Sequence, residues 1–448
     1  MAYHSHKNPA VNANFAEALL ASLAPDGGLW MPDELPHYTP EQTAKLGALP
    51  FWECAAELAQ HFVDQKINKD SLRKLCKDAY DFDVPMKTLS GKILDVALAE
   101  NNDEYILELF HGPTLAFKDF AARFMGRSAS HLMKSTGQTR TILVATSGDT
   151  GGAVGDAFLD QDGIRVVILY PDGGVSKVQE QQLCTIGGKN SNVQAVKIQG
   201  TFDDCQQLVK DAFADNDLTE KHHLMSANSI NVGRVIPQSF YYFWTALQVK
   251  AAHPGKPVIF SIPSGNLGNL TGGILAKKMG APIHKFVIGN NTNDPFVDYL
   301  NEGEYRPRPS VPTLSNAMDI GRPNNFPRIL DLLENDYETV KDVCWGASYS
   351  DEETERHIRK VYNSTGYIMC PHTAVGHLAM NEFAEGFKAP CTKITVATAH
   401  PAKFADSVER IIAEDIPLPT PLAKSMKKEK RVTALSPNLD ALKAYLAQ

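Results

Sequence analysis

"TILVATSGDTGGAVGDAFL", residues 141–159, joins a short apolar run to a glycine-rich turn and then to a helical pattern. The same order returns in "RVVILYPDGGVSKVQEQQL" (165–183) and in "VQAVKIQGTFDDCQQLVKDAF" (193–213), where Thr201 is predicted to cap the helix. Further units are "PVIFSIPSGNLGNLTGGILAKKMG" (257–280) and "KITVATAHPAKFADSVERII" (393–412). Strands that alternate with helices predict an α/β protein whose parallel sheets are covered by helices on both faces.

The chain before these units shows a different spacing of apolar residues. "NFAEALLASLA", "FWECAAELAQHFV" and "SLRKLCKDAYDF" carry apolar residues at helical spacing. We therefore expect a mainly helical N-terminal domain over residues 1–100. A smaller α/β domain is predicted over 101–250 and a larger one over 251–448.

The segment from 301 to 328 is rich in proline and asparagine and shows little periodicity. It is interpreted as a long ordered loop near the functional site, and composition alone leaves a surface insertion as the alternative.

Composition excludes several classes of protein. The 448 residues are 43% hydrophobic and 21% charged, which is the profile of a globular domain protein. A formal net charge of -8 does not indicate the basic surface that a nucleic-acid-binding protein carries. No apolar run has the length of a membrane span, and the N-terminus lacks the apolar core of a signal peptide, so we expect a cytoplasmic enzyme or binding protein. The seven cysteines are scattered without a C-x-x-C pair, which favours reduced, buried thiols over disulfides or zinc.

One lysine stands in an apolar stretch, "LFHGPTLAFKDFAARF" (109–124). Burial of an ammonium group lowers its pKa, and a neutral lysine is a nucleophile suited to Schiff-base chemistry. The alternative is that Lys118 reaches the surface or pairs with Asp119, and this stretch alone favours that alternative. The remaining motifs have to decide between the two.

The loop "PSGNLGN" follows an apolar strand and opens a helix. Glycine lets the backbone approach a ligand closely, and the free N–H groups at a helix start attract an anion. A phosphate is therefore predicted to bind the residues Gly265, Asn266, Leu267, Gly268 and Asn269. The glycine spacing matches neither G-x-G-x-x-G nor a P-loop, which weighs against dinucleotides and nucleoside triphosphates. A tight turn without a ligand is the alternative for this loop taken alone.

Two more polar loops follow strands, "ATSGDTGGAV" and "VATAHPAKF", and the second adds Thr398, His400 and Lys403. In open parallel sheets, ligands bind beyond the carboxyl ends of the strands, so these loops could face one crevice. Taken alone, His400 would be a core histidine satisfied by hydrogen bonds. Together the loops and Lys118 predict a small phosphorylated cofactor that bonds to a lysine, and pyridoxal 5'-phosphate meets that description.

Six motifs in this order resemble those of the threonine synthase family in its bacterial and fungal form. They are "LFHGPTLAFKDF", "ATSGDTGGAV", "NSINVGRVIPQ", "PSGNLGN", "CPHTAVG" and "ATAHPAKF", and "LAPDGGLWMP" and "NAMDIGRPNNFPR" fit the same family. The resemblance covers nearly the whole chain. It implies the tryptophan-synthase-β-like fold, known as fold type II of the pyridoxal-phosphate enzymes.

The resemblance also implies roles for single residues. Lys118 matches the lysine that forms the Schiff base and acts as general base, and Thr398 matches the hydroxyl set against the pyridine nitrogen. The loop from Gly265 to Asn269 matches the grip on the cofactor phosphate. Asp149 stands where many relatives carry an asparagine facing the ring hydroxyl, so a carboxylate here needs a shared proton or a different geometry. Arg234 matches an arginine associated with the substrate phosphate, for which His400, Lys403 and His111 are further candidates.

The implied reaction converts O-phospho-L-homoserine and water to L-threonine and phosphate, by a carbon–oxygen lyase. Three alternatives stay open: a phospho-lyase that releases 2-oxobutyrate, a serine or threonine dehydratase, and a non-catalytic binding paralogue. "NSINVGR" and the long N-terminal domain weigh against the dehydratase, and Lys118 weighs against the binding paralogue. The oligomeric state, monomer or homodimer, is left open.

Overall fold

The computed structural model describes residues 2–89, 103–134, 137, 139–188 and 190–448. The strands are β1 (Ala2–Ser5), β2 (Asn12–Asn14), β3 (Trp30–Pro32), β4 (Met86–Lys87), β5 (Glu104–Glu108), β6 (Arg140–Ala145), β7 (Ile164–Pro171), β8 (Val193–Ile198), β9 (Leu224–Ser226), β10 (Val258–Pro263), β11 (Ile283–Asn290), β12 (Cys344–Ser348), β13 (Thr392–Ala397) and β14 (Val432–Leu435).

The α-helices are α1 (Phe15–Ala21), α2 (Pro40–Gly47), α3 (Phe51–Ala59), α4 (Lys69–Ala79), α5 (Lys118–Met133), α6 (Asp149–Phe158), α7 (Lys177–Cys184), α8 (Phe202–Ala214), α9 (Asn216–His222), α10 (Val232–Ala252), α11 (Gly268–Lys278), α12 (Pro295–Glu302), α13 (Phe326–Leu332), α14 (Tyr337–Val343), α15 (Asp351–Thr365), α16 (Pro371–Gly386), α17 (Ala405–Ile412), α18 (Thr420–Ser425) and α19 (Leu439–Leu446). Short 3₁₀ turns cover Asn316–Met318 and Pro401–Phe404.

Two parallel sheets form the body of the molecule. The larger has the order β12-β11-β10-β13-β5-β4, and only the edge strand β4 runs antiparallel to its neighbour. The smaller has the order β14-β8-β7-β6-β9 and is parallel throughout. The predicted α/β class with parallel sheets is confirmed.

Helices cover both faces of the sheets because apolar side chains point to both sides of the strands. Along β6, Ile142 and Val144 pack into the central core, while Leu143 and Ala145 pack under α8. In the larger sheet, Ile259 of β10 packs with residues of α16 on the opposite side from the central core. Strands buried on both faces read as continuous apolar runs, which is the pattern that the sequence carries.

The N-terminal region contains a feature that the sequence analysis missed. The predicted helices are present as α1, α3 and α4, but β1 pairs antiparallel with β2 and β3 to form a small third sheet. These strands have three or four residues. Runs this short cannot show the alternating pattern by which a half-buried strand is recognised.

The predicted domain division at residues 100/101 and 250/251 stays a prediction, and its first boundary lies outside the described residues. Each of the two larger sheets contains strands from both sides of the predicted boundary at 250/251. Strand β5, early in the chain, pairs with β13 in the larger sheet, and β14, near the C-terminus, pairs with β8 in the smaller one. Each α/β half is thus completed by a strand from the other part of the sequence.

The segment from 301 to 328 begins in α12, continues without regular structure, forms the 3₁₀ turn Asn316–Met318 and ends in α13. No helix within the described ranges combines the length and apolar character needed to cross a membrane. All seven cysteines are buried and unpaired, as predicted. In the same described ranges, no group of three or more His, Cys, Asp or Glu side chains is arranged to hold a metal ion.

Candidate active site

Lys118 stands at the end of a tight turn that a buried aspartate organises. Asp119 accepts hydrogen bonds from the backbone N–H of Thr114 at 2.9 Å and from its hydroxyl at 2.5 Å. A Cβ on Gly112 would lie 2.5 Å from the Asp119 carboxylate, so this approach requires glycine. Leu115 adopts a left-handed backbone conformation with φ of 60°. The turn delivers Lys118 as the first residue of α5.

The Lys118 side chain is partly buried and lines a pocket between the two sheets. Its ammonium lies 5.2 Å from the centroid of the Phe117 ring and makes no ion pair within the described residues. The alternative pairing with Asp119 is therefore not the one adopted. Burial lowers the pKa of Lys118 to about 8, with Arg234 and Lys403 acting in the same direction and Asp149 against them. A reactive neutral amine is accessible just above neutral pH.

Asp149, the first residue of α6, forms a buried ion pair. The Lys403 ammonium, fully buried, lies 2.8 Å from Oδ1 of Asp149 and donates to the Thr114 carbonyl at 2.8 Å. Gln179 Nε2 donates to the same carboxylate oxygen at 2.9 Å. Burial raises the pKa of Asp149, but the charges of Lys403 and Lys118 outweigh it and hold the pKa well below its ordinary value. The carboxylate is therefore ionised and is neutralised by Lys403. Of the two expectations for an aspartate at this position, a shared proton or a different geometry, the ion pair with Lys403 favours the second.

The glycine-rich loop predicted to hold a phosphate connects β10 to α11 and lines the same pocket. Leu267 adopts the left-handed conformation with φ of 60°, and α11 begins at the next residue. Within the described residues, no acceptor binds the backbone N–H groups of positions 265–268. A Cβ on Gly265 would lie 2.8 Å from the Cα of Met318, so glycine is required where the loop meets the 3₁₀ turn. Free N–H groups at a helix start form an anion site.

A buried hydrogen-bond network fixes this loop, and sequence analysis did not single out its residues. Asn325 Nδ2 donates to the carbonyl of Asn266 at 2.9 Å and to the Ser229 hydroxyl at 3.0 Å. The Arg328 guanidinium donates to the Asn325 side-chain oxygen at 2.6 Å and to the carbonyls of Ser229 and Ile230 at 2.8 and 2.7 Å. The network joins the end of the 301–328 segment to the loop, which places that segment beside the pocket as predicted.

Arg234 lies in the first turn of α10 and also lines the pocket. The residue is 3% exposed, and one guanidinium nitrogen donates to the Ala227 carbonyl. Its Nε is buried without a partner, and no carboxylate of the described residues lies within ion-pair distance. Burial lowers the pKa of Arg234 to about 10, which leaves it protonated at neutral pH. The pocket therefore contains a buried cation without an ion pair to any described carboxylate, although the charge of Asp119 partly opposes the effect of burial on its pKa.

Thr398 reaches the pocket because the chain after β13 pairs with the turn before Lys118. The backbone N–H of Phe117 donates to the Thr398 carbonyl at 2.8 Å, and that of His400 donates to the Leu115 carbonyl at 3.1 Å. The Thr398 side chain lines the pocket with Lys118, and its hydroxyl makes no hydrogen bond in the described part of the chain. The hydroxyl is free to meet a ligand.

His400 and Lys403, predicted as contacts to the substrate, do not line the pocket. Lys403 is committed to Asp149, and His400 Nδ1 accepts a hydrogen bond from the Ala402 N–H at 3.1 Å. The His400 ring packs edge-on against Phe110 and borders a separate cavity, which His111 also lines. His400 thus matches the alternative of a histidine satisfied by hydrogen bonds. We do not carry these three residues further as ligands of the substrate.

His372 lines the pocket and was not predicted as a site residue. It is the second residue of α16 and is buried. The only local signal was Pro371, a residue favoured in the first turn of a helix. Nothing in a single sequence shows that this helix starts at the same pocket as Lys118, because that depends on the order of strands in the sheet.

Comparison with known proteins first defines the class. Residues 97–399 match the family model described as pyridoxal-phosphate dependent enzyme. The match covers both sheets except the strands β4 and β14, and it includes Lys118, the glycine-rich loop and Thr398. The fold and the pocket are those of a pyridoxal-phosphate-dependent enzyme of fold type II.

Two further models match the ends of the chain, threonine synthase N terminus over residues 2–80 and threonine synthase, C-terminal, over residues 373–446. Threonine synthase from Haemophilus influenzae is 40% identical over 450 residues, covering 100% of this chain and 99% of the relative. The chain belongs to the threonine synthase family.

Solved structures agree with this assignment. The crystal structure of threonine synthase from Escherichia coli has a TM-score of 0.90 and 36% identity, covering 100% of this chain and 99% of that one. The pyridoxal-phosphate-bound threonine synthase from Brucella melitensis has a TM-score of 0.89 and 34% identity, covering 100% and 98%. The cofactor of the chain is pyridoxal 5'-phosphate.

The residues of the pocket fit this cofactor. The Ser264 hydroxyl and the Asn269 Nδ2 are buried without a partner among the described residues, beside the N–H groups of the loop, and together they suit a phosphate. Lys118 supplies the amine that the cofactor's aldehyde requires, and the Thr398 hydroxyl is open for a ring atom. These groups offer hydrogen-bond donors to an anionic cofactor.

Proposed function

We propose that the protein converts O-phospho-L-homoserine and water to L-threonine and phosphate, with Lys118 as the residue that carries the cofactor and acts as general base. The observation that carries this proposal is the presence of two distinct anion-binding features in one pocket. The N–H groups at 265–268 suit the cofactor phosphate. The second feature is Arg234, a cation that makes no ion pair with a described carboxylate. Such a cation suits a substrate that is itself phosphorylated.

Lys118 is suited to transfer protons because the pKa of its amine lies close to neutral pH. With its pKa at about 8, Nζ can accept a proton from the substrate's Cα and return one during later steps near pH 8. Once bound, pyridoxal phosphate would delocalise the negative charge left at Cα. Loss of phosphate from Cγ and addition of water at Cβ then yield L-threonine, and the atoms of substrate and water balance those of the two products.

Arg234 is proposed to hold the substrate phosphate before and after the C–O bond breaks. A guanidinium presents donors in a planar fork that matches a phosphate, and its charge offsets the charge that develops on the leaving group. The burial of Arg234 strengthens both effects, because charges interact more strongly away from water. Asp149 is proposed to face the cofactor as an ionised carboxylate, paired on its other side by Lys403.

The experiment that tests this proposal identifies the products. The purified protein is incubated with pyridoxal phosphate and O-phospho-L-homoserine, and L-threonine, 2-oxobutyrate and phosphate are quantified together. We expect L-threonine and phosphate in equal amounts and none from the Lys118→Ala variant. Phosphate with 2-oxobutyrate would indicate the phospho-lyase instead, and no product would indicate the binding paralogue.

A cytoplasmic location is also proposed, and cell fractionation tests it. Sedimentation of the purified holoenzyme will decide between a monomer and a homodimer, which the sequence leaves open.

A further inference from the structure

His372 is a buried side chain in the pocket with one satisfied and one unsatisfied nitrogen. The residue is 3% exposed, and its Nε2 accepts a hydrogen bond from the backbone N–H of Ala317 at 3.1 Å. A ring nitrogen that accepts carries no proton, so a neutral ring has its proton on Nδ1. Nδ1 is buried and has no partner among the described residues. A single N–H donor is thus fixed in a pocket that also contains Lys118.

The His372 ring is uncharged at neutral pH. Burial, together with the charges of Lys118 and Lys403, lowers its pKa to about 4 against the opposing charge of Asp149. The ring therefore does not take up a second proton across the working range of pH, and its one proton stays on Nδ1. This behaviour suits a hydrogen-bond donor and does not suit a general acid, whose pKa should lie near the operating pH.

We propose that His372 is a substrate-binding residue whose Nδ1–H donates a hydrogen bond to an anionic oxygen of the substrate. Ala317 fixes the tautomer that makes this donation possible. The inference rests on the proposed function, because it takes its acceptor from O-phospho-L-homoserine. A buried donor without an acceptor is destabilising, and a ligand that completes the bond gives a reason for its presence in this pocket.

The substrate offers two anionic groups that could accept this bond, the α-carboxylate and the phosphate. They share the chemistry of an anionic oxygen, and two probes separate them. L-Threonine carries the carboxylate without a phosphate, whereas inorganic phosphate carries only the second group. A donor to the carboxylate changes the dissociation constant of L-threonine, and a donor to the phosphate changes that of inorganic phosphate.

A purely structural role for His372 is the alternative, since it contacts two neighbours. Its Nε2 holds the 3₁₀ turn at Ala317, and its ring lies 4.9 Å from the Phe404 ring centroid. Two amide variants distinguish this role from substrate binding. In His372→Gln the longer side chain can place an oxygen near the former Nε2 and keep the bond to Ala317, but the Nδ1 donor is lost. In His372→Asn the shorter side chain can place its amide N–H near the former Nδ1, but the bond to Ala317 is lost.

The experiment compares the parent holoenzyme with both variants, using kcat and KM for O-phospho-L-homoserine and the dissociation constants of the two probes. We expect His372→Gln to raise KM and to weaken one probe by about tenfold or more, as loss of a hydrogen bond to a charged group does. His372→Asn should lose less affinity than His372→Gln. Equal affinities in the parent and the Gln variant, or weaker binding by Asn than by Gln, would overturn the proposal.

A crystal structure of the parent holoenzyme with a non-reactive phosphonate analogue of the substrate decides the matter if either variant fails to fold. The proposal expects Nδ1 within about 3.2 Å of an analogue oxygen, and a water or protein acceptor on Nδ1 would overturn it. Failure of this inference differs from failure of the proposed function. A parent that does not consume O-phospho-L-homoserine contradicts the function, whereas an active parent with an unaffected Gln variant contradicts only the role of His372.

Discussion

At the scale of single residues, three buried or partly buried cations in or beside the pocket differ in whether a carboxylate pairs with them. Lys403 is neutralised by Asp149 and is fully buried. Lys118 makes no ion pair with a described residue, and burial moves its pKa toward neutrality. Arg234 stays charged at neutral pH and has no described carboxylate partner. A neutralised charge, an amine of lowered pKa and a charge without an ion pair to a described carboxylate therefore lie in or beside one pocket.

The depressed pKa of Lys118 leads to a prediction about its reactivity. In cofactor-free protein, acetylation of Lys118 should follow a titration centred near pH 8, because burial disfavours the ammonium and only the neutral amine attacks. An exposed lysine should follow its ordinary value of about 10.4. Quantitative peptide mass spectrometry at several pH values measures both in one sample. In Asp149→Asn the curve should move to lower pH, since Asp149 raises the pKa of Lys118. Coincident curves for Lys118 and exposed lysines would contradict this account.

Arg234 is predicted to bind the substrate rather than the cofactor. Arg234→Ala should lower kcat/KM for O-phospho-L-homoserine by about tenfold or more, since hydrogen bonds to charged groups contribute roughly 1.5–3 kcal/mol. Arg234→Lys should recover part of the loss, because lysine lacks the planar two-donor fork. Arg356→Ala, an exposed position on α15, serves as the control. Unchanged affinity of Arg234→Ala for inorganic phosphate would rule out the assignment.

The Asp149–Lys403 pair is predicted to stabilise the fold only as a pair. Lys403→Met should lower the free energy of unfolding by about 3–5 kcal/mol, because it leaves a buried carboxylate without its counter-charge. The double variant Asp149→Asn/Lys403→Met should regain much of that loss. Urea unfolding of the cofactor-free parent, the single variants Asp149→Asn and Lys403→Met and the double variant gives the coupling energy directly. Strictly additive effects would show that the two side chains do not depend on each other.

At the scale of elements, the site is built from loops at the carboxyl ends of strands from both sheets. The loop after β6 supplies Asp149, the loop after β10 supplies the N–H groups that have no described acceptor, and the loop after β13 supplies Thr398. Parallel strands bring these ends to one edge of each sheet, which is why ligands bind there.

The loop after β10 is predicted to bind the cofactor phosphate through its backbone. In Gly268→Val the new side chain starts 3.2 Å from the Cβ of Ser229 and 3.4 Å from the Asn325 amide, and its branches crowd the first turn of α11. We expect a weaker dissociation constant for pyridoxal phosphate and a smaller effect on the stability of the cofactor-free protein. Gly386→Val is the matched control, because a Cβ there meets nothing within 4 Å. Parent-like cofactor affinity in Gly268→Val would mean that the loop is only a turn.

The elements themselves were largely predictable because their signals are local. Thr201 caps α8 in a reciprocal arrangement with Asp204, as the cap pattern predicted. The strand–loop–helix units at 141–159 and 257–280 appear as β6–α6 and β10–α11. The strands of the N-terminal sheet escaped prediction because they span three or four residues.

At the scale of the whole molecule, prediction failed where the structure depends on pairing between distant parts of the chain. The pairings of β5 with β13 and of β14 with β8 join strands that lie hundreds of residues apart in the sequence, and no local pattern specifies them. The ion pair of Asp149 with Lys403 depends on the same long-range order, and so does the position of His372. Recognition of motifs placed Lys118, Arg234 and Thr398 at one site, but the bonds around them are properties of the assembled fold.

The central claim is that phosphate leaves by cleavage of its bond to carbon and that water then adds to the substrate's Cβ within this pocket. Turnover of O-phospho-L-homoserine in water enriched in oxygen-18 tests both halves at once, with mass spectrometry of the two products. The account predicts one oxygen-18 atom in the hydroxyl group of L-threonine and none in the released phosphate. Labelled phosphate together with unlabelled product would show that water attacks phosphorus, and would contradict the account.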